Sequence, residues 1–204
     1  MPTSCQQLKQ EYGQLEDIAK EFYSEFPKTG KTERIKELRA ELEQRRDALR
    51  EKLDIYNIAL RRRIAEAGGF QFVGNFSKTE GLARVEKAGQ WFYIDRAGKE
   101  ITVKRFDDAW DFSEGLARVK KAGQWFYIDK AGKEITAERF DDAWDFSEGL
   151  ALVKKAGQYF YIDKAGKEIT AERFDDAWDF SEGLARVKKA GQWFHIDKKG
   201  RKVF

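Results

Sequence analysis

The stretch FSEGLARVKKAGQWFYIDKAGKEITAERFDDAWD, residues 112–145, is followed at once by FSEGLALVKKAGQYFYIDKAGKEITAERFDDAWD, residues 146–179. The two differ only where Arg118 becomes Leu152 and where Trp125 becomes Tyr159. The period extends both ways: a glycine recurs as Gly81, Gly115, Gly149 and Gly183, and an aromatic pair as Trp91-Phe92, Trp125-Phe126, Tyr159-Phe160 and Trp193-Phe194. A repeat of this length marks an array in which each unit buries its apolar surface against its neighbours. Units begin near Phe76, Phe112, Phe146 and Phe180, the first with FSKTEG in place of FSEG and the last truncated before its DDAWD segment.

Within the unit from Phe112, LARVKK reads as a strand, Ala122-Gly123 as a tight reversal, QWFYIDK as a second strand, and Ala131-Gly132 as a reversal before KEITAERF. Three short antiparallel strands per 34-residue unit are expected, with DDAWDF a link or short fourth strand closing against the next unit. The second strand has no polar face: Trp125 and Tyr127 point one way, Phe126 and Ile128 the other. Burying a ring such as Phe126 contributes about 1.5–3 kcal/mol, while ordering a whole unit opposes folding by some tens of kcal/mol. One unit alone is therefore not expected to fold, whereas stacked units are.

Residues 1–69 follow a different period. Leu8, Tyr12, Leu15, Ile18 or Ala19, and Phe22 recur at helical steps, with Ser4 as a cap. FPKTGKT supplies Pro27 and Gly30 for a turn before a second helix near Thr32. Ile35, Leu38, Leu42, Leu49, Leu53, Tyr56 and Leu60 continue the spacing, broken only at Arg45. The expectation is a helical hairpin, coiled-coil-like and able to self-associate, because one apolar stripe of that length needs a partner. Gly68-Gly69 marks the boundary to a β domain over 70–204, so the fold class is α+β: an N-terminal helical hairpin followed by an antiparallel β-repeat array.

The copy at 112–135 resembles the WG repeat proteins of bacteria, whose units read F-x-E-G-L-A-x-V-…-G-x-W-G-[YF]-I-D-K-x-G-K-E-[IV]. Glu114, Gly115, Leu116, Ala117, Val119, Gly123, Trp125, Tyr127, Ile128, Asp129, Gly132 and Lys133 fall on its recurrent positions, and the match extends from Phe76 to Phe204. The resemblance implies a β-rich repeat scaffold and no particular activity. One departure is constant: the glycine after the tryptophan is Phe92, Phe126, Phe160 or Phe194, which points to tighter lateral packing.

Chemistry-bearing clusters are sparse. The charges, 39 basic against 36 acidic, are interleaved in both halves, which argues against nucleic acid. Arg61–Arg63 reads as a solvated helix face. No run is apolar enough for a membrane span or signal peptide, so a cytoplasmic protein is expected. Cys5, the single cysteine, reads as a surface thiol, and His195, the single histidine, stands where Tyr93, Tyr127 and Tyr161 stand in the other units. No metal site, cofactor or catalytic set is expected, and neither is enzymatic activity. The acidic turns (Asp107, Asp108 and Asp111, repeated as Asp141, Asp142 and Asp145, then Asp175, Asp176 and Asp179) read as solubilising links. The functional lead is aromatic: Trp110, Trp144 and Trp178 in those turns, and Trp91, Trp125, Tyr159 and Trp193 in the central strands. Flat rings so repeated suit a protein partner, including a second copy of the chain, or a glycan or small ligand. The expected function is a non-enzymatic scaffold for protein–protein interaction or self-assembly, with a glycan-binding module as the alternative. A looser similarity to the aromatic-glycine repeats of bacterial cell-wall-binding modules belongs to that alternative.

Overall fold

The computed structural model describes residues 5–25 and 32–203. Ser4, residues 26–31, where the turn is expected, and Phe204 lie outside the described residues, as do the side chains of Cys5, Phe22 and Ile35. Contacts divide the chain into two compact units, Met1–Arg63 and Ile64–Phe204.

The first unit contains α1 (Cys5–Glu25) and most of α2 (Thr32–Gly68). Lys52 Nζ lies 2.8 Å from both carboxylate oxygens of Glu11, tying the two helices together. Leu8 and Leu38 are buried, as the helical spacing requires. The coiled-coil expectation is corrected. Tyr12 is 56% exposed and Leu53 45% exposed, and Arg45 stands exposed in the stripe. A coiled-coil seam needs its apolar positions filled and covered turn after turn, which these are not. The two helices are separate elements, and the chain is β-dominant.

The second unit is the repeat array. Its strands are β1 (Phe72–Val73), β2 (Ala83–Lys87), β3 (Gln90–Ile94), β4 (Asp108–Ala109), β5 (Leu116–Lys121), β6 (Gln124–Asp129), β7 (Asp142–Ala143), β8 (Leu150–Lys155), β9 (Gln158–Asp163), β10 (Asp176–Ala177), β11 (Leu184–Lys189), β12 (Gln192–Asp197) and β13 (Lys202–Val203). They form four antiparallel sheets: β1-β2-β3, β4-β5-β6, β7-β8-β9 and β10-β11-β12-β13. The central hairpin of the second sheet pairs Leu116 with Asp129 through to Lys121 with Gln124, and the third and fourth sheets repeat that register. The reversal has Ala122 at φ 50° and Gly123 at φ 79°, the two positive values a right-twisted two-residue hairpin demands.

The third strand expected after the central hairpin forms only in the fourth sheet, as β13; in the copies at 112–145 and 146–179 KEITAERF contributes only isolated bridges, such as Ile128 to Glu134 and Trp125 to Phe140. The short strand expected of DDAWD does close against the next unit: its Asp-Ala is the edge strand of the second, third and fourth sheets, Asp108 opposite Lys120 and Ala109 opposite Val119 in the second, and Phe72–Val73 holds that place in the first. The structural unit is therefore offset from the written one, and each acidic turn belongs to the sheet after it.

The sheets are stacked by their two apolar faces. Phe126 and Ile128 join Leu82, Tyr93, Phe106 and Phe112 in one buried cluster. Trp125 and Tyr127, from the opposite face, join Phe140, Phe146, Phe160 and Ile162 in the next. The same edge-on ring pairs recur at each interface: Phe106–Phe126, Phe140–Phe160 and Phe174–Phe194 at 6.1, 6.1 and 6.3 Å, and Tyr93–Phe112, Tyr127–Phe146 and Tyr161–Phe180 at 4.8, 5.0 and 4.9 Å. The phenylalanine that replaces the family's glycine thus fills an interface. Its ring is also covered by a guanidinium, with Arg105 over Phe92 at 3.8 Å, Arg139 over Phe126 at 4.1 Å and Arg173 over Phe160 at 4.0 Å.

Polar clasps repeat with the same period. The hydroxyls of Tyr93, Tyr127 and Tyr161 donate to the carbonyls of Trp110, Trp144 and Trp178 at 2.6, 2.7 and 2.6 Å. Burial pushes each phenol well above its ordinary pKa, so each remains a donor. Ser113 and Ser147 donate to the carbonyls of Phe146 and Phe180, while Glu114 and Glu148 accept from the amides of Gly149 and Gly183. Gly132 carries φ 78°, and a Cβ there would lie 2.9 Å from Thr102 of the preceding copy, so the turn and the close approach both require glycine.

Candidate functional site

The two aromatic series meet around one arginine per unit. In the first sheet, Arg84 lies under 5.5 Å from the ring centres of Phe72, Trp91 and Trp110. It donates to the Ala109 carbonyl at 2.7 Å and forms an ion pair with Asp111 at 3.1 Å. The second sheet repeats the arrangement: Arg118 is 4.1 Å from Trp110 and 5.6 Å from Trp125, donates to the Ala143 carbonyl, and donates through Nε to Asp145 at 2.8 Å. Each guanidinium extends from a long strand to the DAWD segment of the next sheet. A planar cation between rings, with a carboxylate at its edge, uses both the cation–π attraction and the directional donors of arginine.

At the third sheet the arginine is Leu152. Leu152, Trp144, Tyr159, Asp176, Ala177, Trp178 and Asp179 line a cavity of about 240 Å³. Trp144 and Tyr159 face one another at 5.8 Å, in the places of Trp110 and Trp125, and no lysine or arginine pairs with Asp179 among the described residues. The Asp179 carboxyl is held above the ordinary value by desolvation first and by repulsion from Asp145 second, against the pull of Arg118. Asp111 is also raised by desolvation, with Arg84 opposing and Asp145 adding repulsion. Three successive carboxylates, Asp111, Asp145 and Asp179, therefore share two guanidinium groups, Arg84 and Arg118.

The seven aromatic residues have unequal surroundings. Trp125 is 7% exposed, Trp110 41%, Trp178 62% and Trp193 36%, while Trp91, Trp144 and Tyr159 are half-buried. In the fourth sheet Arg186 stacks on Trp193 at 4.6 Å. His195 is exposed opposite Arg186. No group of three or more histidine, cysteine, aspartate or glutamate side chains is placed to hold a metal among the described residues. No helix among them is long and apolar enough to cross a membrane. A second cavity, of about 570 Å³, is lined by Lys104, Arg105, Lys121, Glu134 and Arg139 with two phenylalanine rings. Its cations are already matched, Arg105 to Glu100, Lys121 to Asp107, and Lys104 and Arg139 to Glu134.

Sequence reasoning found the rings but not the arginine that organises them. The available signal was the pair of exchanges itself: positions 118 and 125 are diagonal neighbours on one face of the hairpin, since Arg118 opposes Tyr127.

An interlocked array of three- and four-stranded sheets written in near-identical copies defines a tandem β-repeat protein. The chain belongs to the WG containing repeat family, which it matches at residues 67–91, 91–125, 125–159 and 159–193. No curated protein matches its sequence. Among solved structures it is similar to Hsv2 of Kluyveromyces lactis, at 13% identity and TM-score 0.44 over 66% of this chain and 50% of that one. It is similar to a eukaryotic initiation factor at 14% identity and TM-score 0.45, over 66% and 43% of the two chains. A plant lectin with two metal binding sites from Cicer arietinum matches at 13% identity and TM-score 0.28, over 59% and 83%. The chain spans half or less of the first two of these structures.

Proposed function

We propose that the protein is a non-enzymatic scaffold that acts in the cytoplasm and binds a protein partner, a second copy of the chain included, along the edge bearing Trp110, Trp144 and Trp178. One observation carries this reading: most of the large side chains of the repeats are committed to packing between sheets, yet two of the three indoles of the acidic turns, Trp110 and above all Trp178, stay open to solvent. Indoles beside carboxylates offer apolar area and charge at a small entropic cost, which suits a contact surface. Equivalent surfaces repeated along an array also suit multivalent contact better than a single cleft.

The test compares the full chain with a triple variant, Trp110→Ala, Trp144→Ala and Trp178→Ala, in partner capture and in light scattering across concentration. Loss of a specific captured partner or of self-association in the variant supports the reading. Unchanged capture contradicts it. A glycan that binds the parent and not the variant would replace the protein partner with the carbohydrate alternative.

A further inference from the structure

Two copies of the repeat hold an arginine between rings, a carbonyl and a carboxylate, and the third presents the same walls without it. The exchanges that separate the near-identical copies, Arg118 to Leu152 and Trp125 to Tyr159, both fall on this one site. Leu152 ends short of the position a guanidinium would reach. The DAWD segment beyond it is unaltered, so Ala177 and Asp179 stand where Ala143 and Asp145 receive Arg118.

We infer that the cavity between Leu152, Trp144, Tyr159, Trp178 and Asp179 is a binding site for a guanidinium group, supplied in trans by an arginine side chain on an exposed segment of a partner protein. The inference deepens the scaffold reading and rests on it for the source of the arginine. Three features fix the ligand class. Arg84 and Arg118 show that these walls accept a guanidinium, as a planar donor rather than a point charge. The row of three carboxylates carries one negative charge beyond its two arginines, and the excess sits at Asp179. The cavity, about 240 Å³, is smaller than the roughly 300–1,000 Å³ of sites that enclose whole drug-sized ligands. It fits the end of a side chain, and the exposed Trp178 ring leaves the entrance open.

The test uses the full chain labelled with 15N, following the indole N–H resonances of its tryptophans while acetyl-Gly-Gly-Arg-Gly-Gly-amide is added. The Trp144 and Trp178 signals are expected to move saturably, with the citrulline and lysine peptides binding at least about tenfold more weakly, since a single charged, bidentate contact is lost. Leu152→Arg, which supplies the guanidinium in cis, and Asp179→Asn are each expected to abolish the movement. Because arginine stands at this position in the other copies, the first variant retains the fold, and the second keeps the side chain's shape. No saturable movement in the parent, or an equal movement in Leu152→Arg, overturns the site. Tighter binding of free L-arginine than of the peptide overturns the protein source. Failure of the peptide with indole-dependent partner capture intact removes the arginine site and leaves the scaffold; peptide binding in a chain that captures no partner does the reverse.

Discussion

Asp145 and Asp179 occupy the same place in two copies, and only the first has an arginine beside it. Removing the charge at each should act in opposite directions. Asp145→Asn leaves the Arg118 guanidinium, whose side chain is 12% exposed, without its carboxylate, and a loss of about 1.5–3 kcal/mol in denaturant unfolding is expected for a hydrogen bond to a charged group. Asp179→Asn removes an unpaired carboxylate whose folded pKa is raised. A raised carboxyl means that the folded state disfavours ionisation, so the aspartate destabilises the fold above its folded pKa and ceases to do so once it is protonated. The variant should melt slightly higher than the parent at pH 7, by less than about 1 kcal/mol because solvent screens the exposed group, and the difference should fade as pH falls towards the ordinary 3.8. A lower melting temperature at pH 7 would contradict the account of Asp179. Glu134 behaves in the opposite sense: hydrogen bonds from Lys104 and then Arg139 hold it below the ordinary 4.5. Its contribution is fully present above pH 4.5 and is lost as pH falls through the lower folded value. Glu134→Gln should therefore lose about 1 kcal/mol at pH 7 and progressively less in acid unfolding experiments.

At the scale of the elements, the hairpin turn and the tyrosine clasp are the clearest tests. Ala122 adopts φ 50°, a region that disfavours residues with a Cβ by roughly 1–2 kcal/mol, while asparagine forms local hydrogen bonds there. Ala122→Asn should stabilise the array by up to about 1 kcal/mol in chemical denaturation. Tyr127→Phe keeps the ring in its cluster and removes only the bond to the Trp144 carbonyl, at a cost of about 1 kcal/mol or somewhat more. The period-two reading of the central strand was legible because both faces are apolar: Phe126 packs backward and Tyr127 forward, so alternation alone implies a sheet covered on each side. DDAWD was legible as a link or short fourth strand closing against the next unit, but its exact pairing was not. Two residues of edge strand carry almost no propensity signal, and aspartate disfavours strands; what positions Asp142 and Ala143 is their pairing with the next long strand and the tyrosine below them. The helical seam misled because spacing records only which residues share a face, and Tyr12 in α1 and Leu53 in α2 each keep the spacing of their own helix without being covered.

Across the array, the second and third sheets use both faces as interfaces, so the copies stabilise one another in the manner of nearest neighbours. The candidate site follows from that repetition, since Leu152 stands where the other copies carry an arginine while the segment that would receive the guanidinium is kept. Leu152 is itself buried, at 3% exposure, so the exchange keeps the interface closed below while opening the region above. The rings of the site were visible in the sequence, but a single arginine-to-leucine change gains meaning only when Asp145 and Ala143 are seen to grip its counterpart. The third copy thus exchanges a stabilising clasp for an open site. That claim is tested most directly by calorimetric unfolding of the double variant Leu152→Arg, Tyr159→Trp, which rewrites the third copy as the second. The account predicts a melting temperature above that of the parent, by roughly 2–4 °C for each kcal/mol regained. An unchanged or lower melting temperature, with the fold intact, would contradict it.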